Sequence, residues 1–366
     1  MLIKDLGKIG IVSDLDPTQL PPNAFSDGEN VRFTPKGVER AYGYGAVLSP
    51  GRVSPTWLQV FPPIETPLWV YGNSSRLFAL DGVLHQEITR EAGNYSGDDA
   101  ERWQMSLLSG IPIFNIPTDT PQMWPFMSIS EKLQDLLYWP TSWRCRFLKS
   151  YKNLLIAGNM IQGGFSYPYR LNWSHPAEPG SIPTAWDPTD PTKDTGERDL
   201  GDTTDVIVDG LEMGDLFIVY REESTYALQY IGAPSFFASW RLLNDGEGIL
   251  WKDCVAAFPG GHAVLTRHDI IVHTGQRGSS VSILEQRRKK WLFSRLSGRN
   301  YRNSFVFANH ADKEIWFCIP EDDAQYATRA LIWNWSSGGI GDMVLPGTPF
   351  IAAGIKTSTD GGEAWG

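Results

Sequence analysis

The chain has 366 residues, a formal net charge of -10 at pH 7, and 12% aromatic residues, including 15 Trp. This length allows a large core, arranged as two or three domains or as one extended all-β body. The acidic balance argues against a surface that grips nucleic-acid phosphates. No apolar run approaches the roughly 20 residues that cross a bilayer, and the start lacks a secretory segment, so we expect a soluble protein made in a cytoplasm.

The three cysteines, Cys145, Cys254 and Cys318, are odd in number and well separated, and they stand among mostly apolar neighbours. A disulfide framework is therefore not expected, and a reducing compartment is the simpler inference. We predict three buried thiols.

Residues 1–50 are predicted to form an N-terminal arm. Pro17, Pro21 and Pro22 leave little room for regular structure in this segment. We expect an extended arm that adds edge strands or packs on a neighbour.

Residues 51–366 repeat one pattern of short apolar strands and polar turns at intervals of roughly 40 to 50 residues, as expected for propeller blades. The segments are Pro67–Leu84, Arg146–Trp173, Asp205–Gly232, Trp240–Leu284 and Ser304–Pro346, the last a complete four-stranded meander. A small antiparallel sheet cannot bury both faces alone, so stacked neighbours are implied. The predicted fold class is all-β, with a β-propeller-like body of four-stranded antiparallel blades, an N-terminal extended arm and an inserted mixed segment.

Two stretches interrupt the repeat. An insertion is expected near residues 96–139, with a short helix over 129–137 after the start signals Ser130 and Glu131. A loop rich in Pro, Asp, Thr and Gly near residues 175–201 is long for a compact domain, and we expect it to project.

Metal and catalytic patterns are weak. His262, His268 and His273 lie close together, with Asp269 beside them, which suggests either a metal site or a plain hairpin turn at His268-Asp269. Their odd and even offsets are expected to send these side chains to different faces. We therefore favour the turn.

The long loop also supplies Asp187, Asp190, Asp194 and Glu197. Glycoside hydrolysis needs two carboxylates held in a cleft, whereas a solvated or calcium-binding loop is the simpler interpretation, and no Asp-x-Asp-x-Asp-Gly spacing supports calcium. No phosphate-cradling motif and no nucleophile with its base stand out. We predict no catalytic residue, no cofactor and no metal, and thus a protein that is not an enzyme.

A basic run, Arg287, Arg288, Lys289 and Lys290, stands out in an acidic chain. It is either a solvated loop, an edge protected against aggregation, or a contact with a neighbouring subunit or with DNA phosphate. An acidic face on one subunit would find a basic strip on the next. We keep the four residues as a possible subunit or DNA contact.

The arm also carries a family resemblance. The run LPPNAFSDGENVRF at 20–33 and the run GVERAYG at 37–43 resemble the opening of tail nozzle proteins of short-tailed bacteriophages, also called tail tubular protein B or packaged-DNA stabilisation proteins. The unit 305–346, with its Lys-Glu-Ile-Trp-Phe strand, resembles the blades of that family. The motif residues in the arm are Asn30, Arg32, Phe33, Gly37 and Arg40. An ordinary edge strand with its turns is the alternative for these residues.

The resemblance implies a β-propeller core in a six-fold ring that forms the distal nozzle, through which DNA is retained and then ejected. The implied partners are other copies of the chain, a tail adaptor protein, tail fibres or spikes, and double-stranded DNA in transient, non-specific contact within the lumen. The implied location is the virion tail, after assembly in the host cytoplasm. A net negative lumen would repel phosphates and keep the duplex from lodging.

A second motif, Ser358, Asp360, Gly362 and Trp365, resembles the Asp box of sialidase-type propellers, which stabilises a hairpin turn and does not catalyse. An ordinary Asp-Gly-Gly turn is the alternative. Because the motif lies near the end of the sequence, we expect either a final strand from elsewhere, such as the arm, or a truncated chain. The motif and the acidic loop together keep open a propeller-type carbohydrate-active enzyme or a glycan-binding propeller as the alternative function. A monomeric binding propeller with an aromatic groove is a third hypothesis.

Overall fold

The structure is a computed structural model that describes residues 4–41, 43, 49–61, 68–98 and 101–345. The chain divides into two compact units. One spans residues 48–244, and the other combines residues 1–47 with residues 245–366. The predicted boundary near residue 50 thus lies close to a unit boundary, and the arm belongs to the same unit as the C-terminal part of the body.

Short strands make up nearly all of the regular structure. The arm holds β1 (Gly10–Ile11), β2 (Ala24–Phe25), β3 (Val31–Thr34) and β4 (Gly37–Arg40). Blade 1 holds β5 (Trp57–Phe61), β6 (Leu68–Gly72), β7 (Leu77–Asp81) and β8 (Leu84–Glu87), and blade 2 holds β9 (Gln104–Leu108), β10 (Ile111–Asn115), β11 (Gln122–Met123) and β12 (Gln134–Asp135). Blade 3 holds β13 (Trp143–Tyr151), β14 (Leu154–Gln162), β15 (Phe165–Trp173) and β16 (Gly196–Asp199), and blade 4 holds β17 (Ile207–Met213), β18 (Leu216–Arg221), β19 (Thr225–Gly232) and β20 (Phe236–Arg241).

The remaining elements belong to the second unit. Blade 5 holds β21 (Val255–Phe258), β22 (Gly261–Leu265), β23 (Ile270–His273) and β24 (Ser280–Ser282). The helix α1 (Lys289–Arg295) follows, and blade 6 holds β25 (Phe305–Asn309), β26 (Glu314–Ile319), β27 (Arg329–Asn334) and β28 (Ile340–Val344). Two 3-10 turns span Pro17–Gln19 and Tyr301–Asn303. No helix in the described part of the chain is long and apolar enough to span a bilayer.

Within residues 48–244, consecutive blades pack face to face. In β14, Leu154 and Ile156 join the core shared with blade 4, whereas Leu155 and Ala157 join the core shared with blade 2. This follows from the two-residue period of a strand, which sends successive side chains to opposite faces. A strand that is apolar at every position is therefore the sequence mark of a sheet buried on both sides.

Blades 1 and 2 share a core of aromatic side chains. Trp57 meets Phe114 edge-on at a centroid distance of 6.0 Å, and Phe61 meets Trp124 in the same way at 6.3 Å. Aromatic rings thus fill the space between these two small antiparallel sheets.

In the second unit, a hydrogen bond joins blade 6 to the residues just before blade 5: Val306 N donates to Asp253 O at 2.8 Å.

The predicted fold class is confirmed. In the described part of the chain, five sheets have four antiparallel strands in sequential order, and the sixth extends blade 6 to eight strands by adding the four strands of the arm. Cys145, Cys254 and Cys318 are buried thiols, as predicted.

Two predictions about the interruptions are wrong. The stretch near 96–139 is a regular four-stranded sheet, blade 2, and the helix expected over 129–137 is replaced by turns and β12. The loop near 175–201 folds back onto blade 3 instead of projecting. Trp186 is buried in it and meets Trp139 edge-on at 4.7 Å, and Ala177 N donates to Asn153 O at 2.7 Å. Apolar anchors inside a polar loop decide its course.

Candidate functional site: the docked arm

The arm lies along the edge of blade 6. β1 runs parallel to β28, with Gly10 opposite Ile340, while β3 is antiparallel to β28, with Val31 opposite Asp342. Gly10 has a φ of +83°, and a Cβ atom there would overlap the backbone of Ile340. Only glycine allows so close an approach of two backbones in this conformation.

A buried ion pair ties the arm to the interior of blade 6. Arg32 Nε donates to Glu314 Oε1 at 2.8 Å, and Arg32 Nη2 lies 3.3 Å from Asp312 Oδ2. Arg32 is 2% exposed and Glu314 is 0% exposed. Trp316 Nε1 donates to the other oxygen of Glu314 at 3.1 Å. Burial raises the pKa of Glu314, and the charge and hydrogen bonds of Arg32 offset only part of this effect.

The other motif residues of the arm have separate structural roles. Asn30 has a φ of +57°, and its Oδ1 accepts a hydrogen bond from Val344 N at 2.9 Å. Phe33 is buried with its ring 5.4 Å from that of Phe25. Gly37, at a φ of +133°, opens β4, and Arg40 is exposed. Four of the five residues thus fix the conformation or packing of the arm, and Arg40 remains at the surface.

A second attachment joins the arm to helix α1. Asp14 accepts hydrogen bonds from the backbone of Lys290 at 2.7 Å and of Trp291 at 3.2 Å. The backbone amides of Ser13 and Asp14 both donate to Arg287 O at 2.9 Å. The first amides of a helix have no partner within it, so Asp14 caps α1 from a distant part of the sequence.

The basic run lies at the start of this helix, and most of it is engaged within its own unit. Arg287 Nη1 donates to Gly338 O at 2.9 Å, and Lys289 Nζ lies 2.6 Å from Asp269 Oδ2. Arg288 is 1% exposed. Lys290 alone is classed as exposed. Arg288 is therefore too buried to contact a partner at the surface. The subunit or DNA contact stays a prediction, and the exposed Lys290 is the residue on which to test it.

Arg288 belongs to a buried charged cluster. Its guanidinium lies 3.6 Å from the ring centroid of Trp291 and 3.2 Å from Asp342 Oδ2, which is also 3.3 Å from Arg329 Nη1. Burial lowers the pKa of Arg288 and raises that of Asp342, with the ion pair opposing both effects. The cluster connects α1 to blade 6 through charge pairing and cation–π contact.

The histidines are arranged differently from the prediction. His262 and His273 lie directly opposite each other on β22 and β23, buried on one face, with ring centroids 5.7 Å apart. The expectation of different faces is therefore wrong for this pair, while His268 and Asp269 do lie in the turn. Burial lowers the pKa of His273 to about 4, so its ring is neutral at pH 7. In the described residues, no group of three or more His, Cys, Asp or Glu side chains could hold a metal ion.

The acidic residues of the long loop serve local structure. Asp187 accepts from the backbone N of Thr189 at 2.9 Å, and Asp190 accepts from the backbone N of Thr192 at 2.9 Å. The hydrogen bonds from the backbone and hydroxyl of Thr189 lower the pKa of Asp187, and those from the hydroxyl and backbone of Thr192 lower the pKa of Asp190. Asp187 and Asp190 thus have a local role in turns of the loop.

Asp194 and Glu197 also lie among local contacts. The backbone N of Asp194 donates to His175 Nδ1 at 3.1 Å, and Glu197 Oε2 lies 3.2 Å from Arg170 Nη1. The four carboxylates named from the sequence are therefore distributed along the loop and β16.

The connection between blades 3 and 4 is organised by Arg221. This side chain is 0% exposed and donates to the carbonyls of Leu200 at 3.0 Å, Thr203 at 3.0 Å and Asp205 at 2.7 Å. Burial raises the pKa of Asp205, but hydrogen bonds from Thr203, Glu223 and Ser224, together with Arg221, outweigh it and hold this pKa below its ordinary value. The guanidinium thus supplies hydrogen-bond donors to backbone carbonyls that have no partner strand in a β-sheet.

The Asp-box-like residues Ser358, Asp360, Gly362 and Trp365 lie outside the described residues.

No protein-family model matches this sequence, and no curated protein matches it. Among solved structures, the chain is similar to the WD40 β-propeller domain of Doa1, with 12% identity, coverage of 84% of this chain and 88% of that one, and a TM-score of 0.45. It is also similar to the RRP9 WD40 repeats (9% identity, 84% and 86% coverage, TM-score 0.48) and to puromycin hydrolase (12% identity, 77% and 44% coverage, TM-score 0.49). Likenesses at this level carry no functional information.

Proposed function

We propose that this chain is a structural component of a phage tail, forming the distal nozzle ring through which DNA is retained and then ejected. The observation that supports the proposal best is the Arg32–Glu314 pair. Arg32 belongs to the N-terminal run that resembles the nozzle family, and Glu314 belongs to the Lys-Glu-Ile-Trp-Phe strand that resembles its blades. The two separate stretches of resemblance therefore meet in one buried contact, which gives a physical reason for their occurrence together.

The proposed role is that of a rigid spacer. Antiparallel ladders resist deformation, and the arm closes the exposed edge of blade 6, which would otherwise offer unpaired backbone groups to other chains. Loops on the blades would contact an adaptor protein and fibres or spikes. The net charge of -10 favours a lumen that repels DNA phosphates.

Electron microscopy of the purified full chain, alone and mixed with the adaptor protein of a short-tailed phage, tests the proposal. We expect six-fold ring classes that stack on the adaptor. The Lys290→Glu variant should weaken the ring if the basic run contacts a neighbouring subunit, and Lys36→Glu, another exposed lysine, is the matched control. Monomeric particles in both samples would contradict the nozzle assignment.

The second candidate is a carbohydrate-active or glycan-binding propeller. One feature favours it: the exposed Phe165 lies on β15 near Tyr167, whose ring centroid is 4.1 Å from the guanidinium carbon of Arg170. Aromatic rings beside planar polar groups suit sugar binding. A glycan panel, scored separately for binding and for hydrolysis, distinguishes this candidate from the nozzle, for which neither signal is expected.

A further inference from the structure

In the unit of residues 48–244, three polar side chains form a continuous hydrogen-bonded chain. Ser49 Oγ lies 2.7 Å from His85 Nε2, and His85 Nδ1 lies 2.7 Å from Tyr71 Oη. The backbone N–H of Arg52 donates to Tyr71 Oη at 3.0 Å. A hydroxyl, an imidazole and an orienting group thus stand in the order that nucleophilic catalysis by serine requires.

Blade 1 holds the imidazole in place. Tyr71 lies on β6 opposite Phe78, and His85 lies on β8 opposite Leu80, so both side chains emerge on the same face across β7. The Tyr71 ring stacks on Phe78 at 5.5 Å and meets His85 edge-on at 5.6 Å. Tyr71 is 5% exposed, whereas Ser49 is exposed. The base is therefore supported from the interior while the hydroxyl faces solvent.

The hydrogen bonds are compatible with the tautomer that a general base needs. Tyr71 Oη accepts from Arg52 N and has a second lone pair, which can accept from a protonated Nδ1 of His85. His85 Nε2 is then unprotonated and directed at the Ser49 hydroxyl. In this tautomer the Ser49 proton can pass to Nε2 during attack on a carbonyl.

We propose that Ser49 is an activated nucleophile that reacts with carboxylic esters, with His85 as its base and Tyr71 as a positioning residue. Ser49 Oγ forms a bond to the acyl carbon, and its proton moves to His85 Nε2. The bond from that carbon to the alcohol oxygen breaks, and the leaving alcohol takes the proton from His85. Water then attacks the acyl-serine with His85 again as base, which releases the carboxylic acid and restores Ser49. This activity is separate from the proposed tail role and does not depend on ring formation.

The test uses the full chain with a fluorophosphonate probe, followed by intact mass and peptide mapping, and a p-nitrophenyl acetate burst assay. We expect one adduct on Ser49, a burst of about one equivalent as expected for covalent acylation, and loss of both in Ser49→Ala. His85→Gln should slow labelling by about 100-fold or more. Ser54→Ala is the matched control, since Ser54 is exposed and is followed by proline, as Ser49 is.

Tyr71→Phe removes only the phenolic oxygen. As a positioning change it should lower kcat for p-nitrophenyl acetate by about 10- to 100-fold and leave KM unchanged. An unlabelled Ser49 in protein with a native melting curve would overturn the proposal. So would labelling of His85→Gln at the wild-type rate, because the imidazole would then have no part in the reaction.

Discussion

The arm is predicted to depend on Arg32, and the Arg32→Met variant tests this directly. Arg32 donates to Glu314 at 2.8 Å and pairs with Asp312 at 3.3 Å, while Glu314 is 0% exposed. Removing one partner of a buried ion pair costs about 3 to 5 kcal/mol, because the other charge stays buried without compensation. Glu314 keeps the hydrogen bond from Trp316 at 3.1 Å, so we expect a loss near the lower end, about 3 kcal/mol.

The loss should appear first as opening of the arm. A change of about 3 kcal/mol corresponds to roughly a hundredfold shift in an equilibrium. Amide hydrogen exchange should therefore accelerate by about that factor at Val12 and Ala41, whose amides donate to Phe25 O and Asn30 O. Exchange at individual amides is the appropriate measurement, since a chain of two compact units need not unfold in one step.

Two variants control this experiment. Arg40→Met makes the same substitution at an exposed arginine of the same hairpin, and it should change stability by no more than about 0.5 kcal/mol. The double variant Arg32→Met with Glu314→Gln should recover much of the loss, because a neutral amide leaves no buried charge. If Arg32→Met exchanges like Arg40→Met, the ion pair does not hold the arm and the reasoning is refuted.

Three further predictions concern other polar contacts. Asp14→Ala should lower the free energy of unfolding by about 0.5 to 2 kcal/mol, because the amides of Lys290 and Trp291 lose their capping carboxylate. Urea titrations followed by Trp fluorescence measure this change, and an unchanged midpoint would contradict the capping role. Arg221→Met should cost about 3 kcal/mol or more by calorimetry. Arg221→Lys should not restore this stability, because Arg221 reaches the three carbonyls from three separate nitrogens (Nε, Nη1 and Nη2), whereas an ammonium has its three donors on one nitrogen; full restoration would refute this geometry. The lowered pKa of Asp205 means that its contribution is present above the unfolded value near 3.8 and is lost as pH falls through the lower folded value. The difference in melting temperature between wild type and Asp205→Asn should therefore shrink between pH 7 and pH 3, and a constant difference would count against it.

Local patterns in the sequence were sufficient for every blade except blade 2. Strand period and turn residues depend on neighbours along the chain, so the meander that begins at Ser304 and the turn at His268-Asp269 were predicted correctly. The mixed composition of 96–139 hid blade 2, because β11 and β12 have only two residues each and show no alternation. The prediction of a projecting loop near 175–201 is wrong because the polar composition of the loop outweighs its few apolar anchors, Ala177, Ile182 and Trp186.

By itself, the sequence determined an all-β protein of repeated four-stranded sheets with an arm at its start. Only the tertiary structure decided what the charged residues do. Arg32 and Glu314 are 282 positions apart, and Ser49 and His85 are 36 apart, on segments that the sheets bring together. Periodicity follows from the backbone geometry of each strand, whereas the pairing of distant side chains depends on how whole sheets stack and on which groups that stacking removes from water.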